Sequence, residues 1–272
     1  MNHWRKITGS LLILLMMAAC SSIPQSPETN DSAVVTSQDI STTAVTDLST
    51  PITAQQPLDP TLAQRENMVS TGIIELGISD NAVVAAMRAV PRHRFVPEEF
   101  QDQAYANHPL PIGYGQTISQ PYIVALMTEA AEVEQGDIVL EVGTGSGYQA
   151  AVLAEIVDHV YTVEIIGALA ARSASDLVEA GYDNVTVHHA DGYFGWEEFA
   201  PFDAILVTAA PDHIPQPLLM QLKIGGHLII PVGPVGGFQT LWRITRTGKN
   251  EVQSTNLGGV RFVPFTREER RE

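Results

Sequence analysis

Ile138-Val-Leu-Glu141-Val-Gly143-Thr-Gly145-Ser-Gly147-Tyr-Gln149 is the stretch on which the reading of this chain turns. Ile138, Val139, Leu140 and Val142 suit a buried strand, three glycines spaced by single residues follow, and Ala150-Ala-Val-Leu-Ala-Glu155 reads as helix. Strand, tight turn and helix in that order form the first turn of an open α/β sheet. Glycine there lets the backbone take positive φ and lets a ligand approach the main chain. The dinucleotide pattern G-x-G-x-x-G is not met, because Gly147 comes one residue early, and this disfavours NAD. No Lys-Ser or Lys-Thr pair follows the glycines, so the turn is not a phosphate loop. Glu141 puts a carboxylate at the strand end, where it suits a cationic or amine-bearing ligand better than a pyrophosphate.

Outward from this turn, five apolar or β-branched runs alternate with helical patterns: Ile138–Val142, His159–Glu164, 185–188, 204–208 and 227–232. The alternation predicts an α/β fold of the Rossmann-like, doubly wound kind, a mostly parallel sheet with helices on both faces. Gly225-Gly226 is expected to make the turn before the fifth run, and 239–245 and 251–257 read as further strands around Gly248-Lys249-Asn250. Upstream, two helices begin near Leu62, the second capped by Ser79 or Asp80. Residues 110–122 fit neither period and read as a loop, after which Ser119 is expected to cap, and Pro121 to begin, a helix through Met127.

Ligands in such a sheet sit at the carboxyl ends of the strands. Glu164 ends the second strand about twenty residues beyond the glycines, where an acidic residue accepts hydrogen bonds from ribose hydroxyls. Asp191, before Gly192, ends the third and is placed to meet an adenine amine, or simply to make an Asp-Gly turn. Asp203 begins the fourth strand, at the opposite end, and reads as structural. His93, His108, His188, His189 and His213 show no metal-ligand spacing, and no G-x-S-x-G elbow is present, so neither a metal site nor a serine hydrolase is expected.

The run E-x-G-x-G-x-G from Glu141 to Gly147 resembles motif I of the S-adenosylmethionine-dependent methyltransferases. Four more blocks, Gly115-Gln-Thr-Ile-Ser119-Gln-Pro121, Phe202-Asp-Ala-Ile-Leu-Val-Thr-Ala-Ala-Pro211, Leu222-Lys-Ile-Gly-Gly-His-Leu-Ile-Ile-Pro-Val-Gly233 and Val260-Arg-Phe-Val-Pro264, join it in order. Together they resemble the protein-L-isoaspartate O-methyltransferase family over residues 62–266. The resemblance implies a class I methyltransferase fold and methyl transfer from S-adenosylmethionine to the α-carboxylate of isoaspartyl residues in damaged proteins, a repair reaction without a metal. It implies Ser119 as the active-site serine, and Glu141, Gly143, Gly145, Gly147, Glu164, Asp191 and Gly192 at the cofactor. One departure is Ala190, where the family has glycine, and its methyl is expected to crowd the turn before Asp191. The rival readings are a methyltransferase for another acceptor and a non-catalytic, lipid-anchored module of the same fold.

Among 272 residues the net charge is −16 and the isoelectric point is near 4.8, which repels a nucleic-acid backbone. Residues 1–20 carry Arg5 and Lys6, an apolar run from Leu11 to Met17, and Ala18-Ala19 before Cys20, the only cysteine. That is the form of a secretory signal. Met17-Ala-Ala-Cys20 resembles a bacterial lipobox, which implies lipidation of Cys20, membrane attachment and export to the periplasm. The alternative is a cytoplasmic enzyme with a mis-assigned start. Residues 21–60 are polar, acidic and free of Lys and Arg, and read as a disordered tether to a catalytic domain at 61–272. An exported enzyme would work where S-adenosylmethionine is not expected to be abundant.

Overall fold

A computed structural model describes residues 59–267; the predicted signal segment with Cys20, and the tether up to residue 58, lie outside the described residues. Helix α1 (Leu62–Gly72) and helix α2 (Asn81–Ala89) flank a short 3-10 turn that ends at Gly77, whose φ of 103° only glycine takes without strain. Asp80 caps α2, its carboxylate accepting from the amides of Ala82 and Val83.

The stretch read as a loop folds instead into a hairpin, β1 (Leu110–Gly113) and β2 (Gln116–Ile118), around Tyr114 and Gly115, both at positive φ. Two prolines and two glycines had hidden the alternation, which survives as buried Leu110, Ile112 and Ile118. Helix α3 (Pro121–Ala131) follows, with Pro121 at its first turn and Gln120 at the cap position without a side-chain bond. The expected Ser119 cap is therefore not made. Ser119 stands one residue too early, and the proline has no N–H to offer.

Next come β3 (Ile138–Val142), α4 (Tyr148–Ala154), β4 (His159–Glu164), α5 (Gly167–Ala180), β5 (Val185–His189), β6 (Phe202–Val207), α6 (Gln216–Gln221), β7 (Leu222–Val232), β8 (Gln239–Gly248) and β9 (Glu251–Val260). The sheet order is β5-β4-β3-β6-β7-β8-β9; the pairs from β5 to β7 are parallel, and β8 and β9 are antiparallel additions. Gly225-Gly226 is not a turn. β7 begins at Leu222 and bulges through the pair, advancing from Leu222 to His227 while β6 goes from Phe202 to Ala204. A Cβ at Gly226 would lie 2.4 Å from the Asp203 carbonyl oxygen, so only glycine lets the bulge pack there. Asp203 is structural, as expected: Oδ2 accepts from the Ile138 amide and Oδ1 from Lys223.

Strand alternation sorts the core. Val139, Ala204, Leu206 and Ile229 face a cluster shared with helices α1 to α5, whereas Leu140, Val142, Ile205, Val207, Leu228 and Ile230 face a second cluster. That second face is covered by α6 and by an aromatic group of Tyr161, Trp196 and Phe199. Period two puts Glu141 on the helix side with Val139, so its carboxyl turns away from the second cluster.

Candidate active site

The turn after β3 lies at the carboxyl end of the central strands, between β4 and β6. Gly143, Gly145 and Gly147 have φ of 102°, 53° and 87°. Two of them are required by neighbouring protein as much as by any ligand. A Cβ on Gly143 would sit 2.4 Å from Thr208 Oγ1, and one on Gly147 would sit 3.1 Å from Leu177 Cγ. Thr208, one residue past β6, donates to the carbonyls of Val142 and Gly143 and ties the strand end to the turn.

Glu164, at the end of β4, is held on both oxygens: Oε2 accepts from the Gly145 amide at 2.8 Å and Oε1 from the Ile166 amide at 2.9 Å. A carboxylate has about four acceptor sites, so two remain. Glu164 lines a cleft open to solvent together with Val142, Gly143, Gly145, Gly192 and Thr208. Among the described residues it is the one charged residue there, and none of the Lys, Arg or His among them lines the cavity. A phosphate-bearing ligand would find no counter-charge; a nucleoside carrying positive charge fits.

Glu141 is fully buried behind the turn and does not line this cavity. Oε2 accepts from the Thr162 hydroxyl at 2.6 Å, Thr162 and Thr144 hydroxyls are 2.7 Å apart, and Oε1 has no partner among the described residues. Burial pushes this carboxyl up to about 8, so it is mostly protonated at neutral pH. Asp191 also points elsewhere. One oxygen accepts from the Tyr193 amide, and the other pairs with Arg267 at 2.9 Å. Gly192 does reach the cavity, and a Cβ there would meet Val142 Cγ1 at 2.4 Å. Ala190 causes no crowding, because its methyl packs against the second core cluster.

The far wall of the cavity comes from the chain end. Val263, Pro264, Phe265 and Thr266 cross the strand ends as a strap, with Ala210 N donating to Val263 O and Phe265 N donating to Ala210 O. Arg267 closes the strap against Asp191, its guanidinium 3.6 Å from the centre of the Tyr193 ring.

Ser119, half-buried between β2 and α3, lines a second and wider cavity of about 1150 Å³ that opens to solvent. Thr117, Thr208 and Val263 line both cavities, so the two meet there. The structure thus brings together Glu164, the glycines and Ser119, and leaves Glu141 and Asp191 as supports behind them. Thr117, Thr208 and the strap join the site although the sequence blocks that contain them assign them no role. Thr208 was legible, since a polar residue at the carboxyl end of a strand is the signal that picked out Glu164. The histidines serve structure: His188 stacks on Trp196 and His93 bonds the Tyr105 hydroxyl at 2.8 Å. Among the described residues no group of His, Cys, Asp and Glu is arranged to hold a metal.

A glycine-turn cavity with a strand-end glutamate, on a sheet of this order, defines a class I S-adenosylmethionine-dependent methyltransferase. The sequence pattern of the protein-L-isoaspartate(D-aspartate) O-methyltransferases matches residues 63–270. The chain belongs to that family. It is 59% identical to the protein-L-isoaspartate O-methyltransferase of a Picosynechococcus strain, over 76% of this chain and 92% of that one. To the enzyme of the same name from Opitutus terrae it is 57% identical, over 75% and 88%. A solved structure of a protein-L-isoaspartate O-methyltransferase superposes with a TM-score of 0.67 at 27% identity, covering 74% of this chain and 65% of that one. The putative Plasmodium falciparum enzyme, solved with S-adenosyl-L-homocysteine, gives 0.64 at 26% identity, covering 75% and 97%.

Proposed function

We propose that this chain transfers a methyl group from S-adenosylmethionine to the α-carboxylate of L-isoaspartyl residues in damaged proteins and peptides, the first step of their repair. The observation that carries the assignment of roles is the meeting of two cavities at Thr117, Thr208 and Val263, one lined by Glu164 and the other by Ser119. Bound in the first, S-adenosylmethionine supplies a methyl on a sulfonium and is left as a neutral thioether. Glu164 accepts from the ribose hydroxyls with the two sites its amide bonds leave open. Gly143, Gly145 and Gly192 let the adenosyl group lie against the main chain, and Gly147 permits Leu177 of α5 to pack against the turn. Glu141 braces the turn through Thr162 and Thr144, and Asp191 anchors the strap.

The attacking oxygen belongs to a carboxylate, which is ionised at neutral pH, so no side chain has to remove a proton. What the protein supplies is alignment and exclusion of water. Ser119, relieved of any capping duty, donates a hydrogen bond that orients the acceptor carboxylate. Replacing Ser119 by Ala should lower kcat/KM for an isoaspartyl peptide about tenfold to a hundredfold, the worth of one charge-assisted hydrogen bond, with cofactor affinity unchanged. An equally active variant removes Ser119 from the mechanism. Failure of the wild-type protein to distinguish the isoaspartyl from the aspartyl peptide rejects the repair reading.

We further propose that the enzyme works outside the cytosol, attached to a membrane through lipidated Cys20 and a polar tether. That proposal is supported by the basic, apolar and small-residue order of residues 1–20 and by the tether's composition.

A further inference from the structure

Among the described residues that line the Ser119 cavity, only Arg261 is charged. The chain as a whole carries −16, so this cation stands against the sign of the molecule. It makes no ion pair among the described residues. It is nevertheless held. Its guanidinium lies 4.7 Å from the centre of the Phe238 ring, itself 73% exposed. Its backbone is fixed on one side by buried Val260 and on the other by the Phe262 amide, which donates to Gln239 Oε1 at 3.0 Å. Gln239 is buried and donates in turn to the carbonyls of Pro234 and Gly237. An exposed, unpaired and preorganised cation at a cavity mouth is what recognition of an anion requires.

We propose that Arg261 is a specificity-determining residue that makes the acceptor cavity prefer isoaspartyl peptides with a second carboxylate, an Asp or Glu side chain beside the isoaspartyl residue. The inference rests on the isoaspartyl reading above. The acceptor carboxylate itself is the poorer partner for Arg261. It has to reach the junction at Thr117 and Thr208, and Arg261 lines neither the cofactor cavity nor the smaller space behind Ser119. A guanidinium on the attacking oxygen would also draw off the lone pair that forms the new bond. Distance decides between Arg261 and the overall charge: at physiological salt the Debye length is about 8 Å, so scattered carboxylates are screened while a cation in contact with the peptide is not.

The test uses the full chain and matched isoaspartyl peptides that carry Glu or Gln immediately before or after the isoaspartyl residue. The wild-type protein should show a KM about threefold lower for Glu than for Gln in at least one position, with similar kcat, as expected for one partly exposed ion pair. That preference should fade as salt approaches about 1 M, be abolished in Arg261→Gln and be partly kept in Arg261→Lys. A folding defect in Arg261→Gln would change kcat for every peptide alike and would not select the Glu series. Equal KM for Glu and Gln peptides in the wild type, or a preference that survives Arg261→Gln, overturns the proposal. Wild-type protein that methylates none of the isoaspartyl peptides overturns both this inference and the reading beneath it.

Discussion

Glu141 shows how far a single residue's role depends on which way the strand turns it. At the end of a glycine-motif strand it reads as a counter-charge for a cationic ligand, yet pleating places it on the helix side, fully buried, with one oxygen lacking a partner among the described residues. Its folded-state pKa is raised from 4.5 to about 8, so the native protein binds a proton that the unfolded chain releases between those values. The native state is therefore penalised progressively as pH rises from about 4.5 to 8, and at pH 7 the cost is about 3 kcal/mol at 1.36 kcal/mol per unit. Glu141→Gln keeps the shape and an acceptor for Thr162 without that cost. Its thermal midpoint should exceed that of the wild type at pH 8 and converge with it near pH 4.5, as scanning calorimetry across that range would show. A constant difference at all pH values would mean that Glu141 is ionised in the folded protein.

At the scale of elements, the strap 263–266 carries the cofactor site beyond what the first strands supply. Two backbone bonds to Ala210 hold its middle, and Arg267 holds its end through Asp191 and the face of Tyr193. The ion pair is half sheltered, with Asp191 at 9% exposure and Arg267 at 36%. Arg267→Ala should weaken S-adenosylhomocysteine binding about tenfold, the worth of one charge-assisted bond, while KM for the isoaspartyl peptide holds. Titration calorimetry would measure it, and unchanged affinity would show that the strap closes without its latch. The five strands of the parallel region were readable because each is a short run dominated by apolar or β-branched residues between helical patterns. The β1–β2 hairpin was not, because its alternation is interrupted by Pro109, Pro111, Gly113 and Gly115 and only the fold shows which side is inside.

For the whole molecule, the arrangement proposed from residues 1–60 predicts a separation of attachment from catalysis. In a bacterial host, Cys20→Ser should move the full chain from the membrane fraction to the soluble fraction of the periplasm, with kcat/KM for an isoaspartyl peptide unchanged. Wild-type protein found wholly in the cytosol would instead support the mis-assigned start. Fold class, strand order of appearance, the glycine turn, Glu164 and the region of Ser119 were all determined by the sequence alone, since periodicity, glycine and strand-end polarity are local signals. What only the tertiary structure decided is which groups face one another. The closing of Asp191 by Arg267, the meeting of two cavities at Thr117 and Thr208, and the placing of Arg261 in one cavity with Ser119 join residues 76, 91 and 142 positions apart in the chain. No local pattern encodes such pairings, because they arise from the packing of the strap and β9 across the ends of strands formed much earlier in the sequence.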